Sequence, residues 1–299
     1  MSRIGLDIGG TKIHGVVVDD GGRVLVEHLS RTVPGPEGVV TGALEAVDRL
    51  REAVDGAGAQ GVGVGVPGVV VDGAVRHAMN LGLGAEPFDL RAELSTHLAT
   101  PVAVENDLNA SALGAAAILG LDDLAYLALG TGIAVGLVLD GRLRRGVSGL
   151  AGEVGHLPVE LEGPLCPCGQ RGCLELYASG SGLARQYPAT GHEPLPVTVH
   201  AAAQAGEERA VRAWSRLLDG VAEAVQMLVL TLDVGTVVLG GGISRLGEPL
   251  LTGVRERLAE REAVSAFLAS AGLARRVRLA PADVPVAAVG AALTLGEAR

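Results

Sequence analysis

The run Leu6-Asp7-Ile8-Gly9-Gly10-Thr11-Lys12-Ile13-His14-Gly15-Val16-Val17-Val18-Asp19-Asp20-Gly21-Gly22-Arg23 has a counterpart further along the chain. That counterpart is Leu127-Ala128-Leu129-Gly130-Thr131-Gly132-Ile133-Ala134-Val135-Gly136-Leu137-Val138-Leu139-Asp140-Gly141-Arg142. Each copy reads as a strand, a Gly/Thr turn, a second strand and an Asp-Gly turn, the pattern of tightly connected antiparallel strands. With residues 23–32 also rich in Val and Leu, the first copy predicts a three-stranded meander over residues 3–8, 13–19 and 23–32. A plan stated twice predicts two α/β domains of similar construction, with a ligand site in the cleft between them.

The segments that follow each copy alternate between helical and extended patterns. Pro34 and Pro36 lead into apolar residues at Val39, Val40, Leu44, Val47 and Leu50, which have helical spacing. Then come a strand at 61–66, a helix at 90–98, a strand at 102–105 and an Ala-rich helix at about 108–119. After the second copy, a long helix is expected at about 209–232, a strand at 236–239, the turn Gly240-Gly241-Gly242 and a helix ending near residue 260. The last helix, about 286–295, is expected to pack back on the first domain. The domains are expected to span 1–109 plus about 285–299, and 110–284.

The 299 residues suit two domains rather than one. Apolar residues make up 48% of the chain but only six are aromatic, so Val, Leu, Ile and Ala must form the core and disorder is excluded. The charge-free run 124–139 is sixteen residues long with three glycines, too short and broken to span a bilayer. No secretory leader is visible ahead of Asp7, so a cytoplasmic location is expected. A net charge of −10 argues against a nucleic-acid partner.

The turn Asp7-Ile8-Gly9-Gly10-Thr11-Lys12 has the parts of a phosphate cradle. Glycines let backbone N–H groups approach closely, Thr11 and Lys12 donate to oxygens, and Asp7 suits magnesium or its water. Taken alone it reads equally as a plain hairpin, but its duplication at Gly130-Thr131-Gly132 favours the cradle. Lys12 is the one lysine among the 24 basic residues. Neither turn is a Walker loop, which must open a helix. Gly63-Val64-Gly65-Val66-Pro67-Gly68 matches the dinucleotide fingerprint in letters only, because Pro67 and three valines continue as extended chain. It reads as a glycine-lined strand end touching a ligand, or as a plain buried strand.

All three cysteines fall between 166 and 173: Cys166-Pro167-Cys168-Gly169-Gln170-Arg171-Gly172-Cys173. With His156 they make a Cys₃His set, which suits a closed, structural zinc site in a reducing compartment. Glu153 and Glu175 bracket this loop, either as solvated carboxylates or as a pair that binds sugar-like hydroxyls. Glu105-Asn106-Asp107 ends a strand and opens a helix, so Asp107 reads as an N-cap or as a general base. His14, His28, His77, His97, His192 and His200 have no spaced partners and read as structural or surface residues.

These motifs in this order resemble the ROK family of sugar kinases, within the larger group that shares the actin-like, ribonuclease H-like ATPase fold. The carriers are the Asp7–Lys12 turn, the 63–68 strand, Glu105-Asn106-Asp107, Gly130-Thr131-Gly132, Gly152-Glu153-Val154-Gly155-His156, the cysteine loop through Glu175, and Leu239-Gly240-Gly241-Gly242-Ile243-Ser244. The resemblance implies an ATP-dependent kinase with Asp107 as the base toward a hexose 6-hydroxyl. It implies sugar contacts at Gly65, Asn80, Asn106, Glu153, His156 and Glu175, with His156 also a zinc ligand. It further implies that Gly9, Gly10, Thr11, Lys12, Gly130, Thr131 and Gly132 cradle the phosphates, that Asp7 lies near Mg2+, and that Gly240, Gly241 and Gly242 lie by the adenosine. A homo-oligomer, dimer or tetramer, and domain closure that excludes water are implied as well.

Glucose is the expected acceptor, with N-acetylmannosamine, N-acetylglucosamine, mannose or fructose behind it. Two positions depart from the family pattern: Ala134 stands where glycine usually continues the second turn, and Leu83 follows Asn80 where glucokinases often carry Trp. A sugar-sensing regulator is the main competitor, but only six residues precede Asp7, too few for a DNA-binding segment there. A polyphosphate-using enzyme usually lacks the cysteine loop, and a purely structural actin-like role leaves Asp107 and that loop unexplained.

Overall fold

A computed structural model describes residues 2–54, 59–188 and 191–297. The chain runs β1 (Ser2–Ile8), β2 (Lys12–Asp19), β3 (Val24–Arg31), α1 (Pro36–Ala53), β4 (Val62–Val66), β5 (Val69–Val71), β6 (Ala74–Arg76), β7 (Phe88–Asp89), α2 (Leu90–His97), β8 (Val102–Asn106) and α3 (Asp107–Leu119). It continues as β9 (Leu124–Leu129), β10 (Ile133–Leu139), β11 (Arg142–Leu143), α4 (Glu175–Ala178), α5 (Gly180–Gln186), α6 (Leu195–Gln204) and α7 (Glu208–Leu232). The remainder is β12 (Thr236–Gly240), α8 (Glu248–Val264), α9 (Ala266–Ala271), β13 (Val277–Leu279) and α10 (Val286–Leu293).

The duplication read in the sequence is visible in the sheets. One has the order β3-β2-β1-β4-β8 and the other β11-β10-β9-β12-β13. In the first, β1 and β2 pair antiparallel from Ser2↔Asp19 to Ile8↔Ile13, while β4 lies parallel to β1 and β8 parallel to β4. In the second, β12 lies parallel to β9 and β13 parallel to β12. Chain that continues past Pro67 stays extended as β5, and β5-β6-β7 form a small separate sheet.

Two compact units result: Met1–Asp123 with Gly136–Ala151 and Pro281–Arg299, and Leu124–Val135 with Gly152–Ala280. The first therefore reaches beyond the expected boundary at 109 and takes in all of α3. The reason is glycine packing. A Cβ at Gly290 would collide with the Ala110 carbonyl, and one at Gly114 with the Val286 carbonyl, so α3 and α10 meet backbone to backbone. On its other side α10 meets β1 and β4, where Gly5 and Gly63 face the Ala288 and Ala291 carbonyls.

The core of the first unit is aliphatic, as the composition requires. Ile4, Leu6, Ile8 and Ile13 pack with Val39, Ala43, Val47 and Leu50, the apolar stripe of α1. Among the described residues no helix is long and apolar enough to cross a membrane.

Candidate active site

Three parallel strands bring their carboxyl ends to one edge of the first unit. The register sets Asp7 beside Gly65, Gly65 beside Glu105 and Val66 beside Asn106. This is the end of an α/β sheet where functional groups gather.

Asn106 is the N-cap of α3. Its Oδ1 accepts from the Leu108 and Asn109 amides at 2.9 and 3.2 Å, and its Nδ2 donates to the Gly68 carbonyl at 2.9 Å. That settles one of the two readings of Asp107: it is the first helical residue, not the cap. Its carboxylate accepts from the Leu108 amide at 2.8 Å. Burial pushes the Asp107 carboxyl above the ordinary carboxylate range, and the Leu108 N–H opposes this. Asp7 is pushed up to about 7, chiefly by burial, next by the charge of Asp107, with the Lys12 ammonium opposing. The Asp107 carboxylate is thus close enough to disfavour ionisation of Asp7.

The first glycine turn is held from outside itself. The Gly9 amide donates to the Lys12 carbonyl at 2.9 Å, and Thr32, at the end of β3, donates its hydroxyl to the Gly9 carbonyl at 2.6 Å. Gly10 presses on Asn80, whose Cβ would lie 2.8 Å from a Cβ at position 10. Thr11 and Lys12 are exposed at the tip. Gly65 lies in ordinary contact with the Asp107 Cα, at 3.6 Å from a Cβ placed there.

In the second unit, the turn Gly130-Thr131-Gly132 repeats the closure, with the Gly130 amide donating to the Gly132 carbonyl at 3.0 Å. The Gly180 and Ser181 amides donate to the Gly130 and Thr131 carbonyls at 2.8 and 3.0 Å. Gly132 faces the end of the Glu175 side chain: a Cβ there would lie 2.5 Å from the Glu175 Oε2, which accepts from the Ile133 amide at 3.4 Å. Beside this turn opens a cavity of about 710 Å³, lined by Thr131, Ser181, Pro196, Val197, Gly242 and Ile243 among others. Of the three consecutive glycines, only Gly242 reaches it. Gly240 makes room for the Tyr126 ring, and Gly241 has φ +82 against the Leu129 backbone.

The Cys₃His set assembles. The ligand atoms of His156, Cys166, Cys168 and Cys173 all lie within 4.8 Å of one another. The Cys168 and Cys173 sulfurs are 3.6 Å apart, close to the roughly 3.8 Å edge of a tetrahedron with 2.3 Å metal–sulfur bonds. His156 Nδ1 is buried without a hydrogen-bond partner. Burial pushes the Cys173 thiol up to about 12, while the Gln170 amide pulls exposed Cys168 down to about 6. A divalent cation would satisfy the orphaned nitrogen and the costly buried thiolate together. The loop glycines are needed for the turn, since Gly169 and Gly172 have φ +94 and +63 and a Cβ at Gly172 would strike the Glu160 carbonyl. Glu153 is exposed just ahead of the short 3₁₀ turn Val154–His156, and Glu175 is half-buried at the start of α4.

Sequence reading missed Thr32 and Arg145. Arg145 forms a 2.7 Å ion pair with buried Glu105. Neither position carries a local signal, because each acts on a partner distant in sequence.

A doubled five-stranded sheet, glycine turns in both halves and a carboxyl at a strand end define an actin-like, ribonuclease H-like phosphotransferase fold. The ROK family model matches residues 3–294, and the chain belongs to that family. It is 37% identical to the N-acetylmannosamine kinase of Citrobacter koseri, over 88% of this chain and 91% of that one. It is 34% identical to the glucokinase of Thermotoga maritima, over 86% and 87%. A solved ROK glucokinase from Streptomyces griseus, in complex with glucose and AMPPNP, superposes with a TM-score of 0.75 at 32% identity, covering 98% of this chain and 99% of that one. The protein is an ATP-dependent sugar kinase.

Proposed function

We propose that the chain transfers the γ-phosphoryl group of ATP to the 6-hydroxyl of a hexose, with D-glucose as acceptor, giving ADP and glucose 6-phosphate. The observation that carries this reading is the seating of Asp107. Asn106 does the capping, so the Asp107 carboxylate is left at the strand edge with its basicity raised by burial. A raised pKa makes a carboxylate a better proton acceptor at neutral pH.

In this reading Asp107 takes the 6-hydroxyl proton as that oxygen bonds to the γ-phosphorus and the bond to the β–γ bridging oxygen breaks. Gly65, Asn80, Asn106, Glu153, His156 and Glu175 orient the sugar's other hydroxyls. Gly9 to Lys12 and Gly130 to Gly132 present backbone amides, Thr11, Thr131 and Lys12 to the phosphates, and Gly242 with the cavity beside it receives the nucleoside. Phosphoryl transfer needs mainly positioning and charge neutralisation, which this set supplies. Asp7 fits Mg2+, because a carboxyl pushed up to about 7 by burial is only partly offset by the Lys12 ammonium; the ion, when bound, supplies positive charge against the phosphates. His156, Cys166, Cys168 and Cys173 would hold Zn2+, a structural metal that orders the loop carrying His156 and leading to Glu175. Reduced thiols of this kind fit a cytoplasmic setting.

N-acetylmannosamine is the second reading, favoured by the 37% identity to a kinase of that sugar and by Leu83, buried at the position where glucokinases often have Trp. An ADP-release assay with ATP across glucose, mannose, fructose, N-acetylmannosamine and N-acetylglucosamine separates the two by kcat/KM. Asp107→Asn serves as its control and is expected to lose at least about a thousandfold in kcat while still folding. Highest kcat/KM on N-acetylmannosamine selects the second reading, no turnover on any sugar overturns both, and substantial turnover by the Asn variant overturns the base assignment.

A further inference from the structure

We propose that Arg145 is a positioning residue for Asp107, acting through the buried carboxylate of Glu105; this rests on the kinase reading above. Glu105 is the penultimate residue of β8 and 6% exposed. Its carboxylate has three partners. Oε1 accepts from the Asn106 amide at 3.0 Å and from the Asn109 side-chain amide at 2.9 Å, and Oε2 accepts from Arg145 Nε at 2.7 Å.

The two asparagines flank Asp107, one residue before it and two after. They are also joined directly, since the Asn106 side chain accepts from the Asn109 amide. Glu105 thus fixes where β8 turns into α3, the point that sets the direction of the Asp107 carboxylate. Its geometry holds only while the carboxylate stays buried with its partners, and burial of a lone charge is costly. Arg145 supplies the counter-charge from the segment after β11, with its own side chain 28% exposed. Removing one partner of a buried pair leaves the other uncompensated, which costs far more than losing an exposed pair. Glu105 would then turn toward water, and that change rearranges the hydrogen bonds it makes to Asn106 and Asn109 on either side of Asp107. A displacement of about 1 Å at a catalytic group is worth roughly a hundredfold in rate.

The test is steady-state kinetics on the full chain with the best sugar of the panel. Arg145→Met is expected to lose about 10- to 100-fold in kcat, with KM for ATP and for sugar within about threefold, the far-UV spectrum close to wild type and a lowered melting temperature that still leaves the variant folded at the assay temperature. Arg145→Lys, which keeps a cation, should recover most of the loss. The double variant Glu105→Gln with Arg145→Met removes the charge together with its partner and should be faster than Arg145→Met alone, a coupling that independent sites do not show. A purely structural role would lower the melting temperature and leave kcat well below that temperature unmoved. Unchanged kcat in Arg145→Met, a rise confined to KM, or multiplicative losses in the double variant would overturn the proposal. Should the Met variant not fold, Arg145→Lys and Glu105→Gln carry the same kcat-against-KM comparison. A wild type inactive on all sugars refutes the kinase reading, whereas an active wild type with an equally active Arg145→Met refutes this inference alone.

Discussion

Asp7→Asn is expected to stabilise the magnesium-free protein while slowing it. The Asp7 carboxyl rises from 3.8 to about 7 on folding, mainly through burial and then through Asp107. Between those values the unfolded chain has released the proton and the folded chain keeps it, so wild-type stability falls as pH rises. The slope is about 1.4 kcal/mol per pH unit, giving a full penalty of about 4 kcal/mol above pH 7. Asparagine carries no such penalty. Relative to wild type, the variant should therefore gain about 2–3 kcal/mol between pH 5 and pH 7. At roughly 2–4 °C per kcal/mol for a protein of this size, that is a Tm difference widening by several degrees. Asp107 is present in both proteins, so the difference between their pH profiles reports Asp7 together with its charge coupling to Asp107. The measurement is thermal unfolding followed by circular dichroism at pH 5, 6, 7 and 8, in magnesium-free buffer without chelator so that the cysteine site is undisturbed. The same variant loses the carboxylate proposed for magnesium, and its kcat should fall. A Tm difference that stays constant with pH, or narrows as pH rises, would refute the reading of Asp7 as a carboxyl whose burial outweighs the Lys12 ammonium.

Elemental analysis of the purified wild type should find about one zinc per chain, and Cys173→Ser should lose most of it; an undiminished zinc content in that variant removes the Cys₃His assignment. Gly290→Ala puts a methyl group against the Ala110 carbonyl and should cost about 1–3 kcal/mol or more by forcing α3 away from α10. Because α3 begins at Asp107, kcat should fall with it, and a variant that matches wild type in both denaturant midpoint and kcat would show that the helix contact has slack.

What the sequence could show depended on how far apart the cooperating residues lie. Asp7 through Lys12 is one turn, and Cys166 through Cys173 is one loop, so their chemistry is legible as a string; only His156 had to be added from outside. The duplicated turn was legible for the same reason, since periodic apolar runs and Gly/Thr punctuation are local properties. Asp107 stayed ambiguous because cap and base ask for the same residue type at the same place. Only the hydrogen bonds of its neighbour separate them, and Asn106 turns out to hold both the Leu108 and Asn109 amides.

The glycines divide along the same line. Sequence assigned Gly132, Gly240 and Gly241 to ligand approach, and each also has a neighbour within the fold: the end of the Glu175 side chain, the Tyr126 ring and the Leu129 backbone. A glycine in a string says that space is short, not what fills it. Gly5, Gly63, Gly114 and Gly290 extend the point, because they are scattered over the chain and resemble nothing, but together they seat the last helix against β1, β4 and the helix that begins with Asp107. Glu105 and Arg145 are the charged version of the same problem. Forty residues separate them, and nothing in either neighbourhood marks the pair. The parts of such a site that touch ligand tend to be compact in sequence because one turn must present them together. The parts that hold those turns in place are recruited from wherever the fold brings backbone or charge close, so their loss should show first in kcat rather than in ligand affinity.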